Sequence, residues 1–289
     1  VNAKNSAWNM ASPCVYYNNK IFEDNGITTP ALYLAEGRWT LDNFYKCARE
    51  LAQVCSETGA GIETSAYFST YASGMAKYDS ATETFTSNLS DPSVTKVWQD
   101  MIKARENGSV KVNDEGGRHL FVSGKMGMIF TGAYGLRKYG WMNDMDINDL
   151  SFVTPPRAEA GGDEVYGGST FRSYGICKGA QNPDGAVYFL RYFLNADNYD
   201  EAELYKNEDA AELYKKLSEN QNYNNPVFDY GIMSLMSTTN LPLYEIFPDL
   251  ADCSSAQVTT ALNAGANKLN SCITRANMII NDVKEQNKK

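Results

Sequence analysis

Hydrophobic positions recur along the chain in two ways, at intervals of three or four residues and in short unbroken runs. The first spacing belongs to helices with one buried face, the second to short strands. Residues 14–17 are a short apolar run suited to a strand, after which Asn18-Asn19-Lys20 turns into a helical stretch over 21–25, closed by Gly26. Residues 30–37 read as a connection. Thr40 then caps an amphipathic helix in which Phe44, Cys47, Ala48, Leu51, Ala52 and Cys55 recur at helical spacing, with Gly59 beyond it. A strand follows at 62–64, and the alternation over 77–85 flanks a turn and predicts a β-hairpin. Asp91-Pro92 opens the next helix, with Val94, Val97, Trp98, Met101 and Ile102 along one face.

Leu120, Phe121 and Val122 end a short helix before Ser123-Gly124-Lys125. The run 126–130 predicts a buried strand, arrested at Gly132 and followed by a helix over 134–139. Strands are expected at 151–153, ahead of Pro155-Pro156, and at 173–177. Between them Gly161-Gly162 and Gly167-Gly168 bracket a flexible or closely packed stretch. Asn182-Pro183 opens a helix through 194, residues 200–225 are polar and helical, and a long helix runs on from Ser254 with Gly265 as a break. Strands alternating with helices imply an α/β architecture with sheet cores. The chain has no internal repeat and no low-complexity tract.

Composition narrows the function classes. The 289 residues make one large or two modest domains, and 43% hydrophobic with 21% charged residues suits a chain with a real core. The 19 Tyr and 12 Phe fit either packing or a cleft lined with rings, which complement the C–H face of a pyranose. A net charge of −9, with Lys288-Lys289 as the only basic run, excludes a phosphate-neutralising surface, so no nucleic-acid partner is expected. No window holds the about 18 consecutive apolar residues that a membrane-spanning helix needs. The six cysteines, at 14, 47, 55, 177, 253 and 272, form no C-x-x-C pair and read as small buried hydrophobes.

Catalytic chemistry finds no foothold. The single histidine, His119, has no G-x-S-x-G partner for a hydrolase and cannot complete a Cys/His zinc set. Gly116-Gly117 and Gly167-Gly168 lack the dinucleotide and P-loop fingerprints. Asp144, Asp146 and Asp149 miss the spacing of a calcium loop. No catalytic residue, metal or cofactor is therefore expected.

Several pieces carry a resemblance. The segment Tyr16-Tyr17-Asn18-Asn19-Lys20-Ile21-Phe22-Glu23-Asp24-Asn25-Gly26-Ile27 resembles the strand-and-helix opening of family 1 extracellular solute-binding proteins of ABC sugar importers, relatives of maltose-binding protein. Arg38-Trp39-Thr40-Leu41-Asp42-Asn43-Phe44 is similar to a helix start of that family, and Phe121-Val122-Ser123-Gly124-Lys125-Met126-Gly127-Met128 to its F-x-x-G-K-x-A-M motif. Gly132-Ala133-Tyr134, Val153-Thr154-Pro155-Pro156, Gly167-Gly168, Tyr174-Gly175-Ile176 and Ala186-Val187-Tyr188-Phe189-Leu190 continue the pattern in order.

The resemblance implies a type II periplasmic-binding-protein-like α/β fold, two lobes joined by hinge strands with the ligand held between them. Residues 1–154 would form mainly the second lobe, 155–240 the remainder of the first, and 241–289 helices returning to the second. It implies an extracellular or periplasmic protein, lipid-anchored in its full-length parent, with a sugar ligand and ABC transporter membrane subunits as partners. A carbohydrate-active enzyme and a binding protein for a non-sugar solute are the alternatives. The ligand-binding residues it implies are Trp8 and Asn9 before the first strand, Tyr67, Tyr134 in place of a family tryptophan, and Thr170, Phe171 and Arg172 after Gly167-Gly168. Packing is the other reading of Trp8 and Tyr134, and a structural ion pair that of Arg172. Trp39 and Trp98 are expected in the core. The family's opening β-α-β stretch has no counterpart here, so the first lobe is expected to be incomplete and the chain alone to bind sugar weakly or not at all.

Overall fold

The computed structural model describes residues 13–55, 57, 59–64, 74–112, 117–132, 142, 144–157, 174–194, 230–250 and 252–287. Strand β1 (Pro13–Asn18) explains the first apolar run. Successive side chains of a strand point to opposite faces, and here both faces are covered. Val15 and Tyr17 belong to the larger core cluster, Cys14 and Tyr16 to a smaller one. A strand buried twice over has no use for polar alternation.

Asn18 closes β1 and caps α1 (Asn19–Asp24), its side chain accepting from Ile21 N at 3.2 Å. The stretch expected to be a connection holds a further helix, α2 (Pro30–Ala35). Thr29 caps it and Pro30 fills its first turn, a start signal that a six-residue helix leaves too short to show a period. Thr40 caps α3 (Leu41–Val54) as expected. Next come β2 (Ile62–Thr64), the hairpin β3 (Ala76–Asp79) and β4 (Thr84–Ser87), and α4 (Pro92–Glu106) capped by Asp91. The strands β5 (Val110–Val112), β6 (Met128–Gly132) and β7 (Leu150–Val153) follow, with α5 (Gly117–Val122) between the first two.

The main sheet has the order β5-β2-β6-β1-β7. β2 runs parallel to β5 and β6, whereas β1 runs antiparallel to β6 and β7. Against one face lies α3, through Phe44, Cys47, Ala48 and Leu51, all fully buried. Two glycines set how close it comes. A Cβ on Gly61 would stand 2.2 Å from the Ala48 carbonyl oxygen, and one on Gly127 would stand 2.4 Å from Leu51 Cδ2. Trp39 and Trp98 are core residues, as expected.

Farther along lie α6 (Pro183–Leu194), α7 (Tyr230–Thr239), α8 (Leu243–Ile246) and α9 (Val258–Asn287). Of the strand expected at 173–177, the described residues 174–177 have no strand geometry. Apolar content alone does not make a strand, which needs a neighbour for its backbone groups, and none pairs with 174–177 among the described residues. Tyr188, Phe189 and Tyr192 leave α6 with an exposed ring-bearing face. Gly265 does not break the last helix, which is continuous across it. There Phe247 packs so tightly that a Cβ would meet its Cδ1 at 2.1 Å, so the glycine serves close approach. Helix α9 also holds the hairpin: Asn277 Nδ2 donates to Phe85 O at 3.0 Å, and Phe85 N donates to Asn277 Oδ1 at 2.8 Å.

Three outcomes follow from this packing. Gly61→Ala forces α3 off the sheet and should cost about 1–3 kcal/mol, read as a lower urea midpoint with unchanged slope. Glu106 accepts from Ser255 N at 3.0 Å and Ser255 Oγ at 2.7 Å, bonds that hold its carboxyl below the ordinary 4.5. A carboxylate with a depressed folded pKa adds stability above its unfolded pKa and loses it as pH falls through the folded one. Melting temperatures of Glu106→Gln and the parent should therefore converge as pH falls through the depressed folded value. Thiol labelling supplies the third: Cys177 is exposed and the other five cysteines are buried, with Cys14 and Cys47 pushed up to about 12 by desolvation. One thiol should react rapidly with a disulfide reagent in the native protein, and six after denaturation.

Candidate ligand-binding face

The two ends of the five-stranded sheet differ. At one end the turns are tied by backbone bonds: Asn18 N donates to Gly127 O at 2.9 Å, Met128 N to Gly61 O at 3.0 Å, and Gly61 N to Ser109 O at 3.0 Å. Asn18 caps α1 at the same end. That end is closed.

The register brings five chain connections to the other end. Thr64 pairs with Phe130 and with Val112, so the carboxyl ends of β2, β5 and β6 lie together. Pro13 pairs with Gly132, which adds the amino end of β1, and Val15 pairs with Val153, which adds the carboxyl end of β7. In open α/β sheets the crevice beyond the carboxyl ends of parallel strands is where ligands bind, because loops leave there and backbone donors face outward.

The residues expected to meet the ligand, Trp8, Asn9, Tyr67, Tyr134, Thr170, Phe171 and Arg172, all lie outside the described residues. What the structure fixes is where the chain leading to them leaves the sheet. Trp8 and Asn9 precede Pro13, Tyr67 follows Thr64 and Tyr134 follows Gly132, three roots at the open end. Thr170, Phe171 and Arg172 precede Tyr174 and have no such root in this sheet.

Sequence reasoning had β7 lead into Pro155-Pro156 and set the lobe boundary there, but described no contacts for the crossing that leaves β7 at the open end. Both ends of Thr154-Pro155-Pro156-Arg157 are clamped on Trp39: its indole Nε1 donates to Thr154 O at 2.8 Å, and its carbonyl accepts from Arg157 N at 3.0 Å. Leu41 N adds a bond to Arg157 O at 2.8 Å. The paired prolines were the signal that could have marked it, since they set the backbone and cannot donate to a sheet.

Cys14 on β1 is a neutral thiol, its pKa pushed up to about 12 by burial. His119 is exposed on α5. Among the described residues no three His, Cys, Asp or Glu side chains could hold a metal, and no helix is long and apolar enough to cross a membrane.

Comparison with known proteins agrees with this architecture. No curated protein matches the chain in sequence. Among solved structures, an ABC transporter solute-binding protein from Agrobacterium radiobacter, in complex with ribitol, superposes with a TM-score of 0.62 at 15% identity, over 90% of this chain and 69% of its own. An ABC transporter-associated binding protein from B. animalis subsp. lactis, in complex with β-1,6-galactobiose, gives 0.59 at 15% identity, over 92% and 72%. The GacH receptor of Streptomyces glaucescens, described unliganded and with acarbose, gives 0.57 at 14% identity, over 90% and 69%. These likenesses establish a shared fold, the type II solute-binding architecture. Residues 3–200, more than half of the chain, match the description of bacterial extracellular solute-binding proteins, and the chain belongs to that family.

Proposed function

We propose that the chain captures a carbohydrate at the open end of the five-stranded sheet and delivers it, unaltered, to the membrane subunits of an ABC importer. The observation that carries this reading is the gathering of three aromatic-bearing roots at one sheet end, before Pro13, after Thr64 and after Gly132. Trp8, Tyr67 and Tyr134 supply the rings, whose faces suit the C–H face of a pyranose, and Asn9 supplies an amide for its hydroxyls. Three relatives of the same fold are described with ribitol, a galactobiose and acarbose, ligands rich in hydroxyls.

Two lobes closing on the ligand would bring Thr170, Phe171 and Arg172 from the side opposite the sheet, with the 154–157 crossing as one hinge strand. In this reading residues 155–240 contribute to the first lobe only as far as the start of α7, which packs on β3 and α9 and so goes with the second. The exposed rings of α6 would then be a packing face of the first lobe. We place the protein outside the cytoplasmic membrane, held there by a lipid anchor in its full-length parent. It acts as a binding protein and turns nothing over.

Ligand that binds only the folded state raises the melting temperature by mass action. A panel of neutral mono- and oligosaccharides should contain at least one that does so, with no release of reducing ends. Tyr134→Ala should weaken that ligand at least about tenfold, 1.4 kcal/mol, in calorimetry, while leaving the unliganded melting temperature unchanged. Equal affinity in the variant would remove Tyr134 from the site, and released reducing ends would make the protein an enzyme.

A further inference from the structure

The crossing from β7 to Arg157 is stiff from within and fastened from without. Pro155 and Pro156 fix their own φ and restrict the residue before each, so Thr154 and Pro155 are held extended. Thr154, Pro155 and Pro156 are all buried. Trp39, fully buried, clasps both ends: its indole Nε1 donates to Thr154 O at 2.8 Å, and its carbonyl accepts from Arg157 N at 3.0 Å. Thr40 and Arg157 form a parallel bridge, and Leu41 N donates to Arg157 O at 2.8 Å, which ties the crossing to the first residue of α3. Helix α3 in turn lies on the sheet, with Ala48 and Leu51 too close to Gly61 and Gly127 to admit a Cβ there.

A joint between two bodies works by letting a few residues change φ and ψ. Thr154 to Arg157 offers little of that freedom. Two of the four residues cannot turn about φ. A turn at any of the four would pull Thr154 O or Arg157 N–H off Trp39 and leave buried backbone or indole groups unpaired, which is costly. Trp98 supplies the contrast within the same core: it is likewise buried, but its indole Nε1 has no hydrogen-bond partner among the described residues, so it fills space and fastens nothing through that group.

We propose that Trp39 is a positioning residue between the lobes: it locks Thr154 to Arg157 onto the sheet as a rigid strut, which moves with the second lobe as one body and sets the direction in which the chain leaves for the first. This rests on the two-lobed reading. The crossing then connects the lobes without itself bending, and Trp39 acts on their relation only through the bonds that hold the crossing.

Two measurements without ligand test it, on the parent, Trp39→Phe and Trp98→Phe. Hydrogen exchange is read at the Arg157 and Leu41 amides, with the amides of β1 and β6 as reference. Trp39→Phe should speed the first pair at least about tenfold relative to the reference, the loss of one buried hydrogen bond, and Trp98→Phe should not. Spin labels are then placed on Cys177, the exposed thiol beyond the crossing, and on Met278→Cys, an exposed position of α9. Their distance distribution should be broader in Trp39→Phe than in the parent or in Trp98→Phe. Unchanged exchange in Trp39→Phe overturns the fastening and leaves the two-lobed reading standing. Accelerated exchange with an unchanged distance distribution means that Cys177 is held to the sheet by other contacts, which overturns both. Equal effects of the two substitutions would make Trp39 a packing residue and reject its positioning role.

Discussion

Everything at the candidate site depends on β1 lying antiparallel between β6 and β7 with both of its faces buried. An antiparallel strand inserted beside parallel ones brings its own amino end to their carboxyl ends. That single reversal places the chain before Pro13 beside the chain after Thr64 and after Gly132. Loss of the reversal would scatter the roots to opposite ends of the sheet. The double burial of Cys14, Val15, Tyr16 and Tyr17 also fixes the register, because a slip by one residue would exchange the contents of two differently shaped cores.

The sheet's two ends divide labour. Backbone bonds between Asn18, Gly61, Ser109, Gly127 and Met128 tie one end shut and leave no room for side-chain variety. The glycines there answer to α3, whose Ala48 and Leu51 come too close for a Cβ. Close packing is thus concentrated at the tied end, and the open end is where five chain connections leave the sheet.

Much of this was legible because burial leaves a periodic imprint. α3, α4 and β6 were read from apolar spacing and capping residues, and the structure has them in place. The failures have local causes. α2 spans under two turns, too short for a period, and only Thr29-Pro30 announced it. Residues 174–177 have the composition of a strand, but pairing is a property of a neighbour and is not written in the segment itself. Gly265 looks like a breaker until Phe247 is seen against it, a contact formed by the residue that follows α8. The strands that meet at the open end were legible in the sequence, while the residues expected to meet the ligand lie outside the described residues.

The clasp between Asn277 and Phe85 joins positions 192 residues apart. A strand edge whose backbone is satisfied by so distant an amide stays open until α9 exists. During synthesis the ribosome must therefore deliver nearly the whole described chain before β4 is sealed, and the half-made protein carries a sticky ribbon. For a protein of this family, bound for export, that delay is an advantage: a polypeptide that cannot finish folding early is one that a translocation channel can still thread.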